Sequence, residues 1–343
     1  MSRAPIVLLA VLLVSVTPSL RAQSSASQEP ETEPETEKAP PIRVEVELVN
    51  VVFSVTDRRN RFVTGLGPDD FLVYEDGVQQ EIKFFTGETN LPLRIGLLID
   101  TSNSVRPRFQ FEQEAGIDFL HTILQPKKDL AFTISFDATP VLVQDLTDDP
   151  LDLADSIRNL RAGGGTALYD AIYLACKMKL SEGTGNDYRK MLIVLSDGND
   201  TTSLVSREEA LEMARRFEVT VFTVSTNAPP IQYSGESRNL QNPCEVMGGE
   251  GDKVLKRFAQ STGGTAYCPF STIDVGRSFE RIANQLRSQY TLAYTPTSPI
   301  RDGRYRRITI KTRRKGLRVR HRPGYYARPL TAEAAGASSS PGE

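Results

Sequence analysis

Tryptophan is absent from the chain; histidine occurs twice and cysteine three times in 343 residues. The two histidines, His121 and His321, are far apart in sequence, so a His-rich zinc site is unsupported. His121 falls inside a helical pattern and His321 on a strand, neither within a motif, which leaves a serine hydrolase without its base. Charge of one sign is also missing: 41 Lys and Arg face 43 Asp and Glu, so overall charge names no partner. No apolar run reaches the roughly 20 residues that a membrane span needs.

The apolar run that comes nearest is Ile6 to Val16, preceded by Arg3 and followed by Leu20-Arg21-Ala22. Residues 1–22 therefore read as an export signal with a small-residue cleavage site. The expected location is periplasmic or extracellular, with no transmembrane segment once the signal is removed. Residues 23–41 carry Glu29-Pro30-Glu31-Thr32-Glu33-Pro34-Glu35-Thr36-Glu37, a composition that builds no core and reads as a disordered acidic linker. Residues 329–343 are small and polar and read as a disordered tail.

Between these ends the pattern changes twice. Residues 42–90 alternate with period two, with a slip near Val49-Asn50 that suggests a bulge. Strands at Phe71–Tyr74 and Val78–Phe85 flank Asp76-Gly77, a hairpin signal. From Leu93 strands and helices alternate, as in α/β architecture. Strands are expected at 93–99, 129–136, 140–144, 190–196, 219–225 and 265–268. Helices are expected at 106–124, 150–160, 167–180, 206–217, 252–262 and 274–288. The short link at Asp137-Ala138-Thr139 makes one edge strand antiparallel in an otherwise parallel, doubly wound sheet. Residues 290–328 return to β pattern and are expected to pack with 42–90. The result would be a small β-sandwich-like module built from both chain ends, around an α/β domain at 91–289.

Segment 226–250, with Pro229-Pro230, Pro243 and Gly248-Gly249, reads as a long surface loop. Export permits a disulfide, and a Cys244–Cys268 bond would tether this loop beside the strand at 265–268. Cys176 lies in an apolar helical pattern and reads as a buried thiol.

Three loops carry oxygen groups where strands end or helices begin. Asp100-Thr101-Ser102-Asn103-Ser104 follows the strand from Leu93. Gly163-Gly164-Gly165-Thr166 precedes a helix, and Ser196-Asp197-Gly198 closes another strand. In an open parallel sheet, ligands collect at the carboxyl ends of strands. Taken singly, Ser104 and Thr166 fit helix caps and Asp197-Gly198 an ordinary turn.

Taken together in this order, Asp100, Ser102, Ser104, Thr166 and Asp197 resemble the metal-ion-dependent adhesion site of von Willebrand factor type A domains. The flanks, including Asp70-Phe71, Glu75-Asp76-Gly77, Tyr290–Tyr294 and Pro323-Gly324-Tyr325-Tyr326, resemble the acidobacterial VWFA-related family. The segment 226–250 is longer than that family's pattern. The resemblance implies that Ser102 and Ser104 bind Mg²⁺, or Mn²⁺, directly. It implies that Thr166 does so directly or through water, while Asp100 and Asp197 hold waters or reach the ion. It implies an adhesion module without catalysis, whose partner protein offers a carboxylate to the cation.

Two rival chemistries deserve comparison. Ser102 stands where a haloacid-dehalogenase-type phosphatase needs its second Asp and where an aspartic protease needs Gly, and no Lys precedes Thr166 as a phosphate loop requires. A metal-dependent hydrolase is thus the weaker reading. The other rival is charge-driven: Arg301–Arg322 contains eleven Lys or Arg and one acid, Asp302. Alternation puts Arg307, Thr309, Lys311 and Arg313 on one strand face, suited to anionic polysaccharide or lipid headgroups. Nucleic acid is not expected, since no stacking aromatics interleave with these cations.

Overall fold

The computed structural model describes residues 48–87, 91–182, 188–227, 244, 249–269, 272–298 and 302–327. The expected signal, the acidic linker, the tail and most of loop 226–250 lie outside these residues. Among the described residues, no helix is long and apolar enough to cross a membrane.

The central sheet contains β5 (Leu93–Asp100), β6 (Leu130–Phe136), β7 (Pro140–Thr147), β8 (Arg189–Ser196), β9 (Thr220–Ser225) and β10 (Ala266–Tyr267), in the order β10-β9-β8-β5-β6-β7. All neighbours run parallel except β6 and β7. The antiparallel edge follows from the three-residue link between them, too short for a crossover helix.

Each strand of the sheet alternates its apolar side chains between two layers. Leu97 and Ile99 of β5 and Met191, Ile193 and Leu195 of β8 face one core, which packs against α1 (Phe109–Ile123), α2 (Pro150–Arg158) and α6 (Thr272–Arg287). Leu98 of β5 and Leu192 and Val194 of β8 face the other core, against α3 (Leu168–Lys179), α4 (Arg207–Arg216) and α5 (Glu250–Thr262). Burial on both faces explains why β5 and β8 are almost continuously apolar in sequence. The connection from β5 leads outward to β6, and that from β8 outward to β9. The carboxyl ends of β5 and β8 therefore flank the point where the winding direction reverses.

A further core is built by strands within residues 49–86 and 289–326. One four-stranded sheet has the order β13-β1-β11-β4, from β1 (Val49–Thr56), β4 (Ile82–Thr86), β11 (Gln289–Tyr294) and β13 (Arg318–His321). The other has the order β14-β12-β2-β3, from β2 (Phe71–Glu75), β3 (Val78–Gln80), β12 (Tyr305–Thr312) and β14 (Gly324–Tyr326). Val51, Phe53, Val73, Tyr290, Leu292 and Ile310 meet between them. Glu75 is buried in this interior and accepts hydrogen bonds from the hydroxyls of Tyr294, at 2.7 Å, and Tyr325, at 3.0 Å.

Two local expectations need correction. The strand expected over Val78–Phe85 is two strands, one in each sheet, broken at Glu81. Gln80 makes the corner: its side chain donates to Thr297 Oγ1 at 3.1 Å and accepts from the Thr297 N–H at 3.0 Å, which turns the chain away from β2. The pairing of β1 with β11 runs without a slip from Val49 to Ser54, so the bulge expected near Val49-Asn50 is absent from that ladder; a register shift falls instead between Ala293 and Tyr294, where β11 pairs with β4.

On β12, Ile308 and Ile310 are buried while Arg307 and Lys311 are exposed, as period two requires. Several cations of the basic stretch already have acidic partners. Arg314 forks onto Asp70 at 2.6 and 2.9 Å, Arg306 pairs with Asp302 at 3.1 Å, and Arg322 with Glu218 at 2.7 Å.

Candidate metal centre

β5 delivers Asp100 to the switch point fully buried. Its Oδ1 accepts the Ser102 N–H at 2.9 Å, and its Oδ2 accepts the Ser196 hydroxyl at 2.6 Å. Burial pushes the Asp100 carboxyl above the usual range; the bonds from Ser102 and Ser196 oppose this, and the nearby Asp197 charge adds to it. Two carboxylates thus sit close enough to repel, in a place poorly reached by water.

Beyond Asp100 the chain turns through a short 3-10 segment, Asn103–Val105, before α1 begins at Phe109. The Ser102 and Ser104 hydroxyl oxygens lie 2.9 Å apart; Ser102 is buried and Ser104 exposed. Neither caps a helix. Arg108 occupies the cap position of α1 without a side-chain bond, and Ser102 precedes the 3-10 segment without one. The capping reading of Ser104 therefore does not describe this loop. The hydroxyl pair forms the open side of the site.

Thr166 is buried on the neighbouring loop. That loop is laced to the Asp100 loop. The Gly163 N–H donates to Thr101 O at 2.6 Å, and the Asn103 N–H donates to Gly164 O at 3.3 Å. It is equally tied to the loop after β8: the Thr166 N–H donates to Thr201 Oγ1 at 2.9 Å, and Thr166 O accepts from the Thr201 N–H at 2.8 Å. The residue flanking α3 is Ala167, so Thr166 is not its cap residue.

Asp197 is almost wholly buried, and its Oδ1 accepts the Asn199 N–H at 2.9 Å. Gly198 follows with φ +79°, and a Cβ there would stand 2.2 Å from Gly251 O at the start of α5. Only glycine permits this backbone contact. Asp197 O also accepts from the Asn227 side-chain amide, which donates in addition to Asp252 Oδ1, each at 2.9 Å. The loop after β8 is thereby fixed from both sides.

The structure brings Asp100, Ser102, Ser104 and Asp197 together by direct hydrogen bonds and charge coupling. It joins Thr166 to them through the backbone of its loop. Cys244 and Cys268 form a disulfide, Cα atoms 5.2 Å apart. Cys176 is buried in the core between the central sheet and α3, α4 and α5, and burial pushes its thiol well above the usual range.

Some contributors are not among the five residues named from sequence. Ser196 precedes Asp197 and holds Asp100 directly. Asp200 accepts the Tyr169 N–H at 3.1 Å at the start of α3, and Asp170 accepts the Leu204 and Val205 N–H groups at 3.0 and 2.9 Å; both clamp the loop onto the helix. Glu112, on α1, is 1% exposed, and neither of its carboxyl oxygens has a hydrogen-bond partner. Burial pushes its pKa up to about 8; Arg108 opposes the rise, while Asp100 and Asp197 add to it. Its position three residues after buried Phe109, on the apolar stripe of α1, was the available signal.

Among the described residues, no three His, Cys, Asp or Glu side chains gather as a metal-binding cluster. The donors here are two carboxylates and the hydroxyls of Ser102, Ser104 and Thr166. That is a hard oxygen set, suited to Mg²⁺ or Mn²⁺ rather than to a thiolate or imidazole zinc centre. The Ser102–Ser104 hydroxyl pair beside the buried Asp100 carboxylate fits a hard divalent cation in donor chemistry.

Residues 95–199 match the family model for the von Willebrand factor type A domain, and the chain carries a domain of that type. No curated protein sequence matches the chain. Similar solved structures include an aerotolerance-related membrane protein from Bacteroides fragilis, at 15% identity and a TM-score of 0.42, covering 56% of this chain and 98% of that one. Proximal thread matrix protein 1 from the mussel byssus, solved with a zinc-occupied MIDAS motif, matches at 15% identity and a TM-score of 0.47, over 62% of this chain and 50% of that one. The PilB minor pilin from Streptococcus sanguinis matches at 11% identity and a TM-score of 0.45, over 58% and 62%.

Proposed function

We propose that this chain is a protein-binding module that captures an acidic group of a partner through a divalent cation, Mg²⁺ or Mn²⁺, held by Asp100, Ser102, Ser104, Thr166 and Asp197. The observation that carries this reading is the Ser102–Ser104 hydroxyl pair, 2.9 Å apart beside the buried Asp100 carboxylate and free of any capping role. When bound there, the cation would supply an electrophilic coordination position for a carboxylate oxygen.

The chain's own residues set the terms. Hydroxyls are neutral ligands, so a cation that takes Ser102, Ser104 and Thr166 directly and meets Asp100 and Asp197 through bound water has no anionic oxygen in its own shell and can accept one from a partner. Ser196 and the Ser102 N–H hold the Asp100 carboxylate in one orientation. Asn227 and Gly251 hold the Asp197 backbone. Exposed Ser104 leaves the partner's approach open. The role is binding without catalysis. A role outside the cytoplasm is supported by the Cys244–Cys268 bond, since such bonds persist in oxidising compartments.

The test is calorimetric titration of Mg²⁺ and Mn²⁺ into the full chain and into Asp100→Ala. One cation site in the wild type, lost in the variant, is expected. Equal and undetectable binding in both would remove the cation from the account.

A further inference from the structure

A cleft of about 570 Å³ opens where the loop after β1, strand β13, helix α6 and the segment 260–267 meet, within the range of roughly 300–1,000 Å³ usual for small-molecule sites. None of the five candidate metal ligands lines it. Five arginines do: Arg59 and Arg61 from the loop after β1, Arg281 from α6, and Arg318 and Arg320 from β13. No Asp or Glu among the described residues lines it. Asp57, outside the cleft, pairs with Arg61 at 2.7 Å. The chain as a whole has a net charge of −2, so this concentration of positive charge is a local feature.

The floor is neutral, buried and already organised. Ser54, Thr265, Tyr267 and Gln285 are each at most 9% exposed. Gln285 is the hub: its Oε1 accepts from Thr265 Oγ1 at 3.0 Å and from the Tyr267 hydroxyl at 3.5 Å, and its Nε2 donates to Ser54 Oγ at 3.4 Å. Arg320 is oriented by donating to Gly264 O at 3.0 Å. Arg320 and Arg281, from different elements, both act on the Tyr267 phenol, opposing the burial that pushes it to about 12. All five arginines are exposed where they line the cleft, around this buried floor.

Gathered like charges repel, and an anion seated among them is the compensation. Guanidinium forks suit carboxylate and phosphate oxygens, which they grip in pairs. Asn60, Gln260 and the floor hydroxyls suit neutral hydroxyl groups between those anions. We propose that this cleft binds a small polyhydroxylated ligand carrying two or more oxyanion groups, the chemistry shared by acidic oligosaccharides and sugar phosphates. The site is separate from the metal centre and does not depend on it.

The experiment is calorimetry on the full chain, at low salt and with EDTA present, using trigalacturonate, fructose 1,6-bisphosphate and neutral maltotriose. At least one acid is expected to bind one-to-one, with affinity falling as salt rises, while maltotriose does not bind. Uronate binding alone assigns the acidic oligosaccharide; bisphosphate binding alone assigns the sugar phosphate. Arg59→Ala with Arg318→Ala, both at exposed positions, should weaken binding at least about tenfold, or about 1.4 kcal/mol, with Mn²⁺ binding unchanged. If that double variant melts at lower temperature, Arg59→Lys with Arg318→Lys keeps the charge and removes the fork, and weaker binding is again expected. Failure of both acids to bind, equal binding of maltotriose, or wild-type affinity in a folded double variant would overturn the proposal.

Discussion

Glu112 carries a cost that its neighbours do not relieve. A carboxyl with no hydrogen-bond partner at 1% exposure stays protonated well into neutral pH, with its pKa pushed to about 8. Its folded value lies above the unfolded one, near 4.5, so the unfolded chain ionises first as pH rises. The stability Glu112 contributes is whole below about pH 4.5 and is lost as pH climbs through 8. At about 1.4 kcal/mol per pH unit, that gap caps the effect at a few kcal/mol. Asp100 is shifted in the same direction by the same cause. The expected outcome, in chelator, is a melting temperature that falls between pH 5 and pH 8 in the wild type and falls less in Glu112→Gln. Parallel pH curves for the two proteins would place no ionisable burden on Glu112.

The five proposed donors could be named from sequence because their types and order are local: an acid or hydroxyl directly after an apolar strand, or directly before a helix. The part of Glu112 was not, because an acid on a helix reads as solvent-facing until the packing of α1 against the sheet is known. Ser196 was quoted in its motif, yet its bond to Asp100 depends on β5 and β8 being neighbours, which no local pattern states.

At the level of elements, the loop after β8 is positioned by a backbone contact with α5. A Cβ on Gly251 would stand 2.1 Å from Asp197 O, and the atom it meets is backbone. Gly251→Ala must displace the loop, with a stability cost on the order of 1–3 kcal/mol. The expected outcome is cation affinity reduced at least about tenfold in a protein that still folds. Affinity equal to wild type would show that Asp197 does not depend on this contact. In the sandwich, Tyr294→Phe leaves Glu75 with the Tyr325 hydroxyl alone. A loss of about 1–2 kcal/mol in chemical denaturation is expected, with cation binding untouched; no loss would mean that the Tyr294 bond is replaced on mutation.

Strand and helix positions in the α/β part followed from apolar periodicity, which the doubly covered sheet enforces. The corner at Gln80–Glu81 did not follow. The residues from Val78 onward suit one strand by composition, and only the distant Thr297 partner divides them. Long-range pairings of this kind leave no trace within a short window.

For the molecule as a whole, the Cys244–Cys268 bond closes a loop of 24 residues that includes α5 and β10. A crosslink over that span contributes on the order of 3 kcal/mol. Cys244→Ser with Cys268→Ser should lower stability by about that amount, and thiol alkylation without reductant should label neither residue in the wild type. Labelling of both would refute the bond. Residues 49–86 and 289–326 form one sandwich, and the metal centre and the arginine cleft are separately testable.

The most direct test of the central claim is electron paramagnetic resonance of Mn²⁺ with the full chain, with Asp100→Ala and with Thr166→Ala. Thr166 belongs to a different loop from Asp100, and the account requires both loops to serve one ion. One Mn²⁺ per chain is predicted for the wild type, with binding abolished in Asp100→Ala and weakened in Thr166→Ala. Undiminished Mn²⁺ binding in both variants, or none in the wild type, would contradict it.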